Sequence, residues 1–200
     1  MNERKYWKNR WVSSEKKPPN PFAKKAYALI RKGDYKTFLD VGCGDCKDSL
    51  YFAKKGLHVS ALDFSKSGIK NLKSLNPNIK TYLSDIRKMK FNNNAFDIIY
   101  AHLSLHYFND KETTAIFRNL YRILKKDGLI FVKCKSTDDL LYGKGEKVGP
   151  DMYRKGHTRH FFSKEYMASR LQKFKILKLR KTSSVYHAYK SSFIEVIATK

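Results

Sequence analysis

From Thr37 onward the chain alternates short apolar runs with stretches of helical spacing, and this alternation constrains its fold more than any other feature. The runs cover residues 37–41, 58–62, 79–83, 96–101 and 129–133. Strands separated by helices of this length predict an α/β domain with a parallel sheet. Between the runs, Ser65 is placed to cap a helix carrying Ile69 and Leu72 on one face. Asp110 is placed to cap a longer one, with Ile116, Leu120, Ile123 and Leu124 in a single stripe that stops at Asp127-Gly128. Asn20-Pro21 reads as a cap and first helical residue with Gly33 as the stop, and Ser163 as the cap of a short helix ending near Gln172. Two last apolar runs, 174–179 and 193–198, predict an antiparallel pair at the sheet edge.

Two segments fall outside this rhythm. Residues 1–19 form a basic, aromatic arm with Tyr6, Trp7 and Trp11. Residues 136–162 carry Gly143, Gly145, Gly149, Pro150 and Gly156 without clear periodicity and read as a long loop on the substrate side. Structureless loops longer than about 12–15 residues are uncommon unless they have a function. Both segments are therefore expected to act as lids.

At 200 residues the chain is expected to form one domain, spanning 1–200. Its formal charge of +24 admits a polyanionic partner, but the basic residues are mostly lysine and scattered in ones and twos. That pattern favours a solvated surface over a nucleic-acid site, which remains open but not favoured. No stretch approaches the roughly 18 apolar residues of a membrane span, and the first ten residues lack the apolar centre of a signal peptide. A cytoplasmic location is the default expectation. The cysteines, Cys43, Cys46 and Cys134, do not make a disulfide framework. A tetrahedral metal site would need a second ligand pair beside Cys43 and Cys46, so no metal is expected.

The chemistry concentrates where strands end. Residues 38–44 read as a buried strand breaking into a glycine turn, with Gly42 permitting close backbone approach and Gly44 a positive φ. In open α/β sheets ligands bind at such strand ends. Some twenty residues on, Asp63 closes the next strand, and a carboxylate there can accept from both hydroxyls of a ribose. Together these two features indicate a nucleoside-containing ligand. After Gly44 come Asp45, Cys46, Lys47 and Asp48, so the phosphate-binding GxGxxG is absent.

Leu39-Asp40-Val41-Gly42-Cys43-Gly44 resembles the first motif of class I S-adenosylmethionine-dependent methyltransferases, and Ala61-Leu62-Asp63-Phe64-Ser65 the second. Ser84-Asp85-Ile86 is similar to the adenine-contacting motif, Phe96-Asp97-Ile98-Ile99-Tyr100 to the fourth strand, and residues 124–128 to the turn before the fifth. The resemblance spans about residues 35–135 and implies a Rossmann-like, seven-stranded, mostly parallel sheet with an antiparallel C-terminal strand pair and helices on both faces. It implies S-adenosyl-L-methionine as cofactor, which has no phosphates to cradle. By the same resemblance Asp40, Gly42 and Gly44 would face its amino-acid part. Asp63 would bind the ribose hydroxyls and Asp85 would accept from the adenine amino group, with the Ile86 backbone nearby; Phe64 and His102 are further cofactor-binding candidates. Cys46 stands where many members have a third glycine. Lys47-Asp48-Ser49 also resembles the continuation of the first motif in the tellurite-resistance and small-thiol methyltransferase group, with lysine for the usual arginine.

For the acceptor side the candidates are His106, after the fourth strand, and His157, Arg159 and His160 in the glycine-rich segment. His106 reads either as a base or as a packed imidazole, and the other three as a cationic, proton-exchanging patch. A small-molecule acceptor, anionic in character, is expected. An RNA or protein methyltransferase docking through its basic surface, and a non-catalytic cofactor-binding regulator, are the alternatives.

Overall fold

The computed structural model describes Trp7, Trp11, residues 17–186 and residues 189–200; Tyr6 and most of the N-terminal arm lie outside the described residues. In chain order the elements are α1 (Pro21–Ile30), β1 (Thr37–Val41), α2 (Lys47–Lys54), β2 (His58–Asp63), α3 (Lys66–Leu75), β3 (Lys80–Leu83) and β4 (Phe96–His102). There follow α4 (Asp110–Ile123), β5 (Leu124–Lys135), β6 (Glu146–Gly149), β7 (Met152–Lys155), β8 (His157–His160), α5 (Lys164–Arg170), β9 (Lys175–Tyr186) and β10 (Tyr189–Thr199).

Seven strands form the main sheet in the order β3-β2-β1-β4-β5-β10-β9. β1 pairs in parallel with both β2 and β4, so the strand order reverses beside it, and a crevice opens at the carboxyl ends of β1 and β4. β10 runs antiparallel between β5 and β9, which gives the expected seven-stranded, Rossmann-like sheet with its antiparallel C-terminal pair. Alternation along the strands divides the core in two. Leu39, Val41, Ile99, Ala101, Ile130 and Val132 pack toward the apolar face of α4 and Met167 of α5. Phe38, Ile98, Tyr100 and Phe131 point the other way, against residues of α1, α2 and α3. Helices thus cover both faces.

The segment read as a loop over 136–162 is corrected by a second, three-stranded antiparallel sheet, β6-β7-β8. Its strands are four residues each, too short for period-two patterning to show, and their connections are tight. Asp151 (φ 52°) and Gly156 (φ 77°) take left-handed conformations in the two turns. A bridge from Ser136 to Phe162 ties this sheet back to the end of β5.

Helix ends differ from expectation at particular caps. Asn109, not Asp110, caps α4, through a reciprocal box with Glu112. Leu124 has extended backbone and opens β5 instead of closing the helix. Asn20 precedes α1 but its side chain does not cap it, and that helix ends at Ile30, before Gly33. Ser65 likewise makes no side-chain cap, whereas Ser163 does, accepting from the Tyr166 N–H. Among the described residues no helix is long and apolar enough to cross a membrane.

Candidate active site

The carboxyl ends of the strands open into one cavity of about 1200 Å³. One half is built on β1, β2 and the turn after β3. The Gly42 and Cys43 N–H groups both donate to the Leu62 carbonyl, which fixes the turn leaving β1. Gly42 has φ 79°, and a Cβ there would strike the side chain of Ser104, whose hydroxyl donates to the Val41 carbonyl. This position admits only glycine. Asp63 accepts from the Gly44 N–H at 2.9 Å and the Ser65 N–H at 2.7 Å, so a single carboxylate joins the turns after β1 and β2. Burial raises its pKa, and those backbone donors oppose the shift.

Asp40 is fully enclosed beneath the turn and accepts from the Ser49 hydroxyl at 2.6 Å. Burial first, and then the nearby carboxylates of Asp48, Asp63 and Asp45, push its pKa up to about 8. Asp48 accepts from the Tyr100 hydroxyl at 2.8 Å and from both the backbone and side-chain nitrogens of Asn20, at 2.8 and 2.7 Å. The Asn20 amide also donates to Nδ1 of His102 at 3.2 Å. His102 is driven down to about 3 by burial and by the neighbouring Lys133 and Lys47, so its ring is neutral with the proton on Nε2. Asn20, Asp48 and Tyr100 all line the cavity and were not anticipated as site residues. Lys47-Asp48-Ser49 held the only signal. At the third-glycine position Cys46 sits with φ 58°, so the backbone keeps the left-handed conformation while bearing a side chain.

The other half of the cavity comes from four separate segments. They are the loop after β4 (His106, Tyr107 and Phe108), the end of β5 (Lys135, Asp139 and Leu140), the β7–β8 turn region (Lys155, His157 and Arg159), and Lys190 with Ser191 in β10. Lys135 is buried and donates to Asp139 at 2.7 Å and to Ser191 at 3.0 Å. His106 is 1% exposed, and its Nδ1 has no hydrogen-bond partner among the described residues. Burial, reinforced by Arg159 and Lys135, holds its pKa well below the usual histidine range, so it is neutral. Trp7 packs edge-on against both Tyr107 and His157, with centroids 5.2 and 5.3 Å away, and stacks on Trp11.

Of the predicted acceptor-side residues the fold brings His106, His157 and Arg159 to the cavity, and not His160. The ring of His160 turns away to the Phe108 carbonyl (3.1 Å from Nδ1) and packs on Phe162 and Tyr166. The strand alternation of β8 explains this, because neighbouring positions on a strand face opposite ways. On the cofactor side Asp40, Gly42, Gly44, Asp63, Phe64, Asp85, Ile86 and His102 all line the cavity. Among the described residues no group of three or more His, Cys, Asp or Glu side chains is placed to hold a metal ion.

Residues 38–128 match the model of the methyltransferase domain family. The chain carries the Rossmann-like fold of methyltransferases, and over residues 38–128 its sequence is similar to that domain family. It is 31% identical over 128 residues to phosphoethanolamine N-methyltransferase 1 of Triticum aestivum, covering 60% of this chain and 25% of that protein. It is 30% identical over 105 residues to the mitochondrial arginine-hydroxylase NDUFAF5 of Danio rerio, covering 52% and 32%. The chain therefore spans about a quarter to a third of the length of these relatives. The crystal structure of TehB from Haemophilus influenzae superposes with a TM-score of 0.73 at 19% identity, over 99% of this chain and 67% of that one. At that identity the likeness concerns the fold.

Proposed function

We propose that this chain is an S-adenosylmethionine-dependent methyltransferase acting on a small anionic acceptor, and that residues 1–200 form one functional domain. The observation that carries this is a single cavity with two chemically opposed halves. In a chain with 42 basic and 18 acidic residues, Asp40, Asp48 and Asp63 meet inside one half. They are held by N–H and O–H donors, with no ion-pairing cation among the described residues. The complement such a site lacks is a positively charged ligand bearing hydroxyls, and the cofactor's ammonium, sulfonium and ribose meet that description. Asp40 would face the ammonium, Asp63 the ribose hydroxyls, and Asp85 and Ile86 the adenine.

The bound cofactor supplies a methyl group already activated by a positive sulfonium leaving group. The chain's own task is then alignment and exclusion of water. Holding an acceptor in line can lower a barrier by roughly 7–11 kcal/mol. Lys155, Arg159 and Lys190 face the acceptor half, where the one acidic side chain among the described residues, Asp139, is already paired with Lys135. That excess of cations suits a carboxylate, phosphate or oxyanion on the acceptor. Arg159 and His157 orient it. His106, kept neutral by burial, takes the proton when the attacking atom is oxygen or nitrogen, whereas a thiolate needs no base. Trp7 and Trp11 line the cavity, and their rings would serve to keep water from the sulfonium.

Calorimetry with S-adenosylhomocysteine, followed by a radiolabelled methyl-transfer screen, tests the proposal. Micromolar binding and label transfer to small acidic compounds are expected. Absence of binding overturns the cofactor assignment, and transfer only to RNA or protein overturns the acceptor class. His106→Gln is expected to lower kcat by about 100-fold or more on an oxygen or nitrogen acceptor, with the cofactor affinity unchanged.

A further inference from the structure

The aspartate assigned to the adenine is not alone at its post. Asp85 Oδ1 accepts from both the backbone N–H of Arg87 (2.9 Å) and its Nε (3.0 Å), and Oδ2 accepts from Nη2 at 2.6 Å. The same guanidinium donates through Nη1 to Glu112 at 2.7 Å, and Glu112 in turn closes the capping box of α4 by accepting from the Asn109 N–H. Its carbon lies 5.8 Å from the ring centroid of Phe108, which belongs to the loop that carries His106. Asp85, Arg87 and Phe108 all line the cavity.

Each carboxylate oxygen offers about two acceptor positions. Arg87 fills both on Oδ1 and one on Oδ2, which leaves a single acceptor direction on Oδ2. A planar guanidinium gripping a carboxylate by two nitrogens fixes its rotation as one ammonium cannot. With the far edge of the guanidinium anchored on Glu112, the remaining direction on Asp85 is set by α4.

We propose that Arg87 is a positioning residue that makes the site selective for a base bearing an exocyclic amine, by orienting the one free acceptor direction of Asp85. This rests on the assignment of Asp85 to the adenine. Because Arg87 also bonds the α4 cap and lies over Phe108, it ties the adenine end of the cavity to the wall of the acceptor end.

The test compares binding of S-adenosylhomocysteine and S-inosylhomocysteine, in which a carbonyl replaces the amine, to wild type, Arg87→Ala, Arg87→Lys, Asp85→Asn and the Asp85→Asn/Arg87→Ala double variant. Wild type is expected to prefer the adenosyl compound. Arg87→Ala loses about tenfold of that preference, the scale of one hydrogen bond to a charged group. Arg87→Lys recovers part of it, and the double variant is no less selective than Asp85→Asn. A merely structural role would weaken both ligands equally. Unchanged preference in Arg87→Ala, equal weakening of both ligands, or a double variant worse than Asp85→Asn overturns the proposal. If wild type itself binds S-adenosylhomocysteine without preference, the assignment of Asp85 falls first and this proposal with it. The Arg87 side chain is 48% exposed, so its removal leaves the fold intact, and a thermal melt of each variant verifies that.

Discussion

The two halves of the cavity are built by different means. The half at β1, β2 and the turn after β3 is a backbone structure: Gly42 and Cys43 are pinned to Leu62, and Asp63 holds the Gly44 and Ser65 N–H groups. The half facing it is a side-chain structure, assembled from His106, Lys135, Lys155, His157, Arg159 and Lys190 on four stretches of chain. The first has its shape before any ligand arrives. The second holds long cationic side chains whose positions an anion would help to fix. The contrast predicts that cofactor binding is hard to retune by single surface changes, whereas acceptor choice is easy to retune.

The largest effect that would break this comparison belongs to Asp63. Asp63→Ala would remove the two acceptor bonds proposed for the ribose, and it also leaves two buried N–H groups of the turns unbonded. At about 1.5–3 kcal/mol for each bond to a charged group, S-adenosylhomocysteine affinity should fall by at least about 100-fold. Calorimetry measures it. Asp63→Asn, which keeps one oxygen acceptor, should lose less. A variant that retains wild-type affinity would show that the backbone half does not depend on its carboxylate.

On the opposite wall, Arg159→Ala should raise the KM for an anionic acceptor by about tenfold, with no change in cofactor affinity. The separation is the point of the experiment. Loss of both affinities would mean that the halves are not independent.

These halves were unequally legible in the sequence, for a physical reason. Gly42, Gly44 and Asp63 follow apolar runs at strand ends, where fold and chemistry impose residue types at fixed spacing, and were located by those runs, whereas Asp40 and Asp85 were picked out only through the family resemblance. Asn20, Asp48 and Tyr100 act through one another across the chain, with Tyr100 and Asp48 52 residues apart, and no local pattern marks such a contact. The three-stranded sheet was missed because four-residue strands with tight turns carry no periodicity. His157, Arg159 and His160 were recognised as a cluster, but only the turn at Gly156 and the alternation of β8 decide that His160 faces Phe108 and not the cavity.

A smaller effect sharpens the electrostatic side of the contrast. Burial and the surrounding carboxylates raise Asp40 to about 8, so the unliganded protein holds a proton there that the unfolded chain, with a value near 3.8, releases. A raised folded pKa contributes stability that is full below about pH 4 and is lost as pH climbs through 8. Asp40→Asn should flatten that decline in a thermal-melt series. A cationic ligand beside Asp40 favours its ionised form, so cofactor binding near pH 7 should release about one proton, seen as a buffer-dependent binding enthalpy. Asp40→Asn should abolish that release. Equal enthalpies in all buffers for wild type would place the ligand's charge elsewhere.

The smallest effect is the most pointed test of a backbone-built half. Cys46 adopts φ 58° and ψ 16°, a conformation that costs a residue with a Cβ about 1–2 kcal/mol relative to glycine. Cys46→Gly relieves that strain, but it frees the unfolded chain by about 0.4–1 kcal/mol and empties the space of a buried thiol packed near the Gly44 and Gly68 carbonyls. These terms oppose one another, so stability should move by no more than about 1 kcal/mol, a shift of a few degrees in Tm. If the turn is set by its backbone, affinity for S-adenosylhomocysteine should stay within about twofold, because the left-handed conformation survives the loss of the side chain. A large loss of affinity with the fold intact would show that the Cys46 thiol itself shapes the turn. The cofactor half would then depend on its side chains as much as the acceptor half does.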